Sequence, residues 1–235
     1  MRDAAAAIAH DLLEIGAVAL KPDEPFTWAS GRKAPVYTDN RLTLAYPAVR
    51  ARIAEAFAAV VDAETLEPDV IAGTATAGIP HATLLAERLG LPLAYVRSSA
   101  KAHGKGNQIE GRVEPGQRVV IVEDLVSTGG SALAAAEAVR AAGAEPVAVV
   151  AVFTYGLEAA TAAFRDAGLP LYVLTGFDRL AEVAAETGLL PADALGVLRA
   201  WREDPAAWSA ARGGAAEIWG SEDLEIGGSG DRRKA

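Results

Sequence analysis

The sequence predicts an α/β protein: a mainly parallel five-stranded sheet flanked by helices, with a smaller N-terminal lobe. Three observations carry this. Five runs are apolar almost throughout: Asp69–Gly73, Leu91–Val96, Arg118–Asp124, Glu145–Phe153 and Leu169–Leu174. A strand buried on both faces reads in this way, because it has no solvent side to alternate toward. Alanine-rich helical stretches separate several of these runs, which is the alternation of a parallel sheet. Glycine and hydroxyl residues crowd the turns that follow two of the strands, GTATAG at 73–78 and STGGS at 127–131.

Residues 3–19 read as the first helix, with Ile8, Leu12, Ile15 and Ala19 at helical spacing. The stretch from Glu24 to Arg41 has poor periodicity and reads as loop or short strands. A second helix fits Tyr46–Val61, with Val49, Ile53, Phe57 and Val60 on one face. The regular series occupies about 69–175, its helices stopping at Gly90 and Gly143. Within it, Arg97–Arg112 is polar and glycine-containing, and reads as a loop. Residues 178–202 read as helices returning to the core, and the terminal GGSGDRRKA as a flexible tail.

Composition removes several functions. With no cysteine in 235 residues there is no disulfide framework, thiolate zinc site or cysteine nucleophile. Three scattered histidines, His10, His81 and His103, make no metal cluster. Twenty-two Lys and Arg against 31 Asp and Glu give a net charge of −9, which disfavours nucleic acid and anionic membranes as partners. No apolar run reaches about 18 residues, so no membrane span is expected. Charged residues interrupt the N-terminal segment, which reads as an amphipathic helix rather than a signal peptide. A cytoplasmic protein is expected.

The strongest chemical signal is RVVIVEDLVSTGGSA, Arg118–Ala132. An apolar strand ends in Glu123 and Asp124, a turn follows, and a helix starts near Ser131. Ligands of open parallel sheets bind beyond the carboxyl ends of strands. Backbone N–H groups of Thr128, Gly129, Gly130 and Ser131 at a helix start form an anion cradle. No lysine follows the glycines, so this is not a Walker A loop, nor is it the dinucleotide fingerprint. The two acids repel a phosphate and therefore face other groups, sugar hydroxyls or a divalent cation. The site suits a ribose 5-phosphate unit.

Three segments add to it. The loop Arg97–Arg112 holds Arg97, Lys101, His103, Lys105 and Arg112 against one acid, Glu110, and its glycines suit closure over a second anion. The GTATAG turn offers further small-residue backbone. The stretch FTWASGRKAPVYTDNR (Phe26–Arg41) crowds Arg32, Lys33, Tyr37 and Asp39.

VVIVEDLVSTGGSA resembles the phosphoribosyl diphosphate (PRPP) motif of type I phosphoribosyltransferases. FTWASGRKAPVYTDNR, GTATAGIPHA and YVRSSAKAHGKGNQIEG are similar to orotate phosphoribosyltransferases, in chain order, over about Phe26–Gly156. The resemblance implies a type I phosphoribosyltransferase fold divided as 1–65, N-terminal helices and hood lobe; 66–203, core with C-terminal helices; and 204–235, an extension flexible at its end. It implies conversion of orotate and PRPP to orotidine 5′-monophosphate and pyrophosphate, with Mg²⁺ held mainly by substrate and no certain protein ligand. It implies a homodimer whose loop 97–112 reaches the neighbouring subunit. Glu123 and Asp124 would hold the ribose hydroxyls, and Leu125, Val126, Ser127, Thr128, Gly129, Gly130 and Ser131 would line or cradle the 5′-phosphate. Arg97, Lys101 and His103 would meet pyrophosphate, with Lys101 the main loop cation and Lys105 a weaker one. Lys101 and Asp124 would be catalytic. Ala75, Thr76 and Ala77 would form the pyrophosphate turn, and Ser127, Tyr37 and Thr38 would border orotate. Some family members carry cations where this chain has Ala29, Ala77 and Tyr155, which leaves Arg32 and Lys33 as alternatives for the orotate carboxylate. The competing readings are a phosphoribosyltransferase for purines or uracil, a PRPP-sensing nucleic-acid regulator and a generic flavodoxin-like module.

Overall fold

The computed structural model describes residues 2–98, 108–191 and 193–215. In chain order the elements are α1 (Arg2–Glu14), β1 (Val18–Leu20), β2 (Phe26–Thr27), β3 (Lys33–Ala34), β4 (Val36–Thr38), a 3₁₀ turn (Asn40–Ala45), α2 (Pro47–Ala63), β5 (Val70–Thr74), α3 (Gly78–Leu89), β6 (Leu93–Val96), β7 (Ile109–Glu110), β8 (Arg118–Val126), α4 (Gly130–Ala141), β9 (Glu145–Thr154), α5 (Glu158–Asp166), β10 (Leu171–Gly176), α6 (Phe177–Glu186), α7 (Ala194–Glu203) and α8 (Pro205–Ala210).

The main sheet has the order β10-β9-β8-β5-β6-β7. Its five long strands are parallel, and the predicted five become six because β7 joins the edge antiparallel to β6, with Val96 opposite Ile109. β7 is two residues long with one apolar side chain, too little to show a period. It pairs beside the start of the 97–112 stretch, which the sequence predicts as loop throughout. The chain leaves β5 toward β6 and returns on the other side of β5 as β8. The crevice above the carboxyl ends of β5 and β8 is therefore the topological switch point, where open α/β sheets bind ligands.

Both faces of the sheet are covered. Ile71, Val120, Val122, Val150 and Val152 pack with Ile8 and Leu12 of α1, Ile53 and Phe57 of α2, Leu85 of α3, Leu180 of α6 and Leu198 of α7. Val70, Ala72, Val119, Ile121 and Val149 pack with Ala132, Ala136 and Val139 of α4 and Phe164 of α5. This two-sided burial explains why the strands read as unbroken apolar runs.

The first helix stops at Glu14, five residues before its predicted end. Gly16 turns the chain at φ +71°, a conformation that a side-chain-bearing residue adopts only under strain. Val18–Leu20 then pairs antiparallel with Val36–Thr38. The Phe26–Arg41 stretch folds as the β2–β3 hairpin followed by β4 and the 3₁₀ turn. Helix α8 starts on Pro205, with the Asp204 carboxylate accepting from Ala207 N–H at 2.8 Å. It docks on the β2–β3 hairpin: the Ser209 hydroxyl accepts from Lys33 N–H at 3.0 Å and donates to Ala215 C=O at 2.8 Å. Trp201 of α7, 1% exposed, meets the rings of Trp28, Tyr155 and Phe177, tying the hairpin to the end of β9. The terminal GGSGDRRKA lies outside the described residues.

Candidate active site

β8 holds the site because it runs further than β5. Pairing between the two ends at Gly73 opposite Val122, whereas β8 stays paired to β9 through Val126 opposite Thr154. Past Gly73, side chains satisfy the backbone that β5 has left. Thr74 Oγ1 donates to Val122 C=O at 3.2 Å. Glu123 Oε1 accepts from Asp124 N–H at 3.0 Å, and Asn40 Nδ2 donates to Asp124 C=O at 2.7 Å. Gly78 sits against this junction, where a Cβ would run into Thr74 Oγ1 and Val122 O. The intervening turn contains a cis Ala75–Thr76 peptide.

After Val126 the chain turns over Ser127–Gly129 into α4. Gly129 has φ +87°, and a Cβ there would lie 2.7 Å from Phe164 Cε2, so conformation and space both require glycine. Gly129 caps α4 with no side-chain bond, leaving the first N–H groups of the helix to face the turn. Glu123, Leu125–Ser131 and Ala132 line one concave pocket around them. Donors without helical partners and the positive end of the helix dipole make this an anion cradle.

Glu123 is buried at 5% exposure and Asp124 is half-buried. Burial raises the Glu123 carboxyl well above the usual carboxylate range, and the Asp124 charge raises it further. Burial raises Asp124 as well, opposed by hydrogen bonds from its surroundings and by Arg41. Two adjacent carboxylates in this setting are unfavourable without hydroxyl donors or a cation to face them.

The Asp124 charge also bears on Arg41 and Tyr155, which places it beside the 37–41 segment. Arg41 is held by Asp39 through two bonds, 2.7 and 3.0 Å. Tyr37 stacks with Phe26 at 5.6 Å between ring centroids, and Tyr155, wholly buried with its phenol pushed up by burial, lies against Thr38. Arg32 is buried at 3% exposure and Lys33 is half-buried. Arg97 follows β6, bonded through its N–H to Gln108 C=O at 2.9 Å, with its guanidinium 3.8 Å from Glu110. Lys101, His103 and Lys105 lie outside the described residues.

The structure thus brings Glu123 and Leu125–Ser131 together, and Asn40 ties the Asp124 backbone to the segment that carries Tyr37 and Thr38. Residues missed by sequence reasoning are Asn40, Thr43, Thr74 and His81. Thr43 Oγ1 donates to Asn40 C=O at 2.5 Å and lies 3.4 Å from His81 Nε2. Burial lowers the His81 imidazole to about 4, so it is neutral at physiological pH.

Acids and an anion cradle at the switch point of a parallel sheet are the arrangement expected of a phosphoribosyltransferase. Residues 43–167 match the phosphoribosyl transferase domain family. The orotate phosphoribosyltransferase of Bacillus caldolyticus is 57% identical over 201 residues, spanning 86% of this chain and 97% of that protein. The crystal structure of orotate phosphoribosyltransferase from Aeropyrum pernix superposes with a TM-score of 0.67 at 30% identity, covering 78% of this chain and 99% of that one. Leishmania donovani UMP synthase gives a TM-score of 0.71 at 29% identity, covering 85% of this chain and 42% of that longer one. The chain belongs to the orotate phosphoribosyltransferase family, a group of pentosyltransferases.

Burial of Glu123 and His81 leads to two predictions. Glu123→Gln removes a carboxylate whose folded-state pKa is raised; because the stabilising form is the protonated one, the neutral amide raises Tm at pH 7 in a melting experiment. A lowered Tm shows that the charge is not a burden on the fold. His81 has a depressed pKa, so its contribution is intact above its unfolded value of about 6.5 and is lost as pH falls toward about 4, by roughly 3 kcal/mol in all. His81→Gln should lose correspondingly less stability than the wild type between pH 7 and pH 4.5 in denaturant titrations.

Proposed function

We propose that the chain transfers ribose 5-phosphate from PRPP to orotate, giving orotidine 5′-monophosphate and pyrophosphate, the reaction that leads to UMP in de novo pyrimidine synthesis. The observation that carries this is the pairing of adjacent acids with an uncapped helix start at the switch point, in a chain of this family. The acids suit vicinal ribose hydroxyls, and the amides of Ser127–Ser131 suit the 5′-phosphate. Leu125 and Val126 shape the pocket wall between them.

The reaction displaces pyrophosphate from the anomeric carbon by the orotate ring nitrogen, through an oxocarbenium-like transition state. No protein nucleophile is needed. Asp124 and Glu123 orient the ribose and face the developing positive charge, while Arg97, Lys101 and His103 balance the departing pyrophosphate. Tyr37, Thr38 and Ser127 border the orotate ring. The oxygen-only donors of Glu123 and Asp124 fit Mg²⁺, which when bound neutralises phosphate charge and is held mainly by substrate and water. The same reading divides the chain at 1–65, 66–203 and 204–235, places it in the cytoplasm and makes it a homodimer in which loop 97–112 serves the neighbouring site. No helix among the described residues is long and apolar enough to cross a membrane.

Mixing the protein with PRPP, Mg²⁺ and orotate should lower the ultraviolet absorbance of orotate; uracil or purine bases should not replace it. Asp124→Asn should weaken PRPP binding measured by calorimetry, and unchanged affinity removes Asp124 from the ribose site. Lys101→Ala should lower turnover by about 10²–10³ if it is a principal charge donor. Heterodimers of Lys101→Ala with Asp124→Asn should regain part of the activity, since one of their two sites then receives an intact loop and intact acids. Stable heterodimers without recovery place the loop within its own subunit.

A further inference from the structure

Asn40 and its neighbours form a polar line that the reaction as described does not use. The line starts at His81 on α3, three residues after the GTATAG turn, passes through Thr43 and Asn40 of the 3₁₀ turn, and ends on the backbone of Asp124. All three side chains are buried: His81 and Asn40 at 1% exposure and Thr43 at 0%. We propose that Asn40, braced by Thr43, is a positioning residue that aims the Asp124 carboxylate at the ribose of PRPP and ties it to the segment bordering orotate. This rests on the phosphoribosyl transfer reading above.

The geometry supports positioning rather than stability. Asp124 is the point at which β8 has outrun its neighbour β5, so its carbonyl has no partner in that strand. Asn40 Nδ2 supplies the donor at 2.7 Å, across 84 residues of chain. With Glu123 Oε1 on its N–H, both backbone groups of Asp124 are fixed by side chains. Asn40 Oδ1 and His81 Nδ1, in contrast, are buried without a hydrogen-bond partner among the described residues. A polar line left partly unmatched in an apolar interior is unfavourable to folding. An apolar side chain of similar volume would remove the unmatched Oδ1 but leave the Asp124 carbonyl without its donor, so its two effects on the fold oppose one another while the hold on Asp124 is lost. Asn40 also lies two residues after Thr38 and one before Arg41, whose guanidinium feels the Asp124 charge. A shift of the base-side segment is thereby passed to the ribose-side acid.

The test uses the full chain. Asn40→Leu keeps volume and removes the amide. It should stay folded with a Tm close to wild type, because the lost donor and the removed unmatched Oδ1 offset one another, while kcat falls by about 10²-fold, the scale of a 1 Å misplacement, and PRPP binding weakens. Affinity for inorganic phosphate at the cradle, which does not involve Asn40, should stay within about twofold of wild type, as the cradle amides are unaltered. Thr43→Val, which removes the hydroxyl bracing Asn40, should give a smaller loss of the same kind, and Thr43→Ser should restore it. The proposal is overturned if folded Asn40→Leu keeps wild-type kcat and PRPP affinity. It is also overturned if phosphate affinity, PRPP affinity and Tm fall together, which marks a general structural role. Should Asn40→Leu not fold, the Thr43 pair decides: equal kcat in Thr43→Val and Thr43→Ser rejects the bracing. If wild-type protein neither binds PRPP nor releases pyrophosphate from it with orotate, the functional reading fails, and not the positioning alone.

Discussion

A parallel sheet must end somewhere, and where two neighbouring strands end at different heights the longer one is left with backbone groups to satisfy. In this protein the longer strand is β8 and the shorter is β5. The groups released there do not fray into solvent. Thr74, Glu123 and Asn40 take them up, from three separate stretches of chain. Two acids can be held side by side at the sheet edge because the backbone beneath them is fixed in this way. Their elevated proton affinity shows what that arrangement does to the unliganded fold. Hydroxyl donors or a cation facing the acids would offset it, which is the usual relation between strained sites and their ligands.

Much of this was legible in the sequence. The five parallel strands appear as apolar runs because both sheet faces are buried, so no alternation interrupts them. The cradle is legible because its requirements are local: Gly129 must turn at positive φ beside Phe164, and the helix must start without a cap. Strand, turn and helix are consecutive, so the spacing encodes the geometry directly.

The parts that were not legible are those made by contacts distant in sequence. β7 is a strand only because β6 lies beside it. The first helix stops early because Gly16 turns the chain into a strand whose first residue, Val18, lies opposite Thr38, 20 residues on. Asn40 sits inside a segment whose sequence stands out for its cations and aromatics, yet its amide bonds a carbonyl 84 residues away. His81 reads as a lone histidine on a helix. Its neutrality follows from burial, which no local pattern reports.

The docking of α8 on the β2–β3 hairpin has a temporal side. Lys33 and Ser209, bonded in the finished molecule, are 176 residues apart in the chain. At synthesis rates of about 5–20 residues per second, roughly 9 to 35 seconds separate their appearance. The β2–β3 hairpin therefore waits, incompletely fastened, until α8 has been made. A nascent chain that has already completed β8 and α4 is still without this clasp on the hairpin.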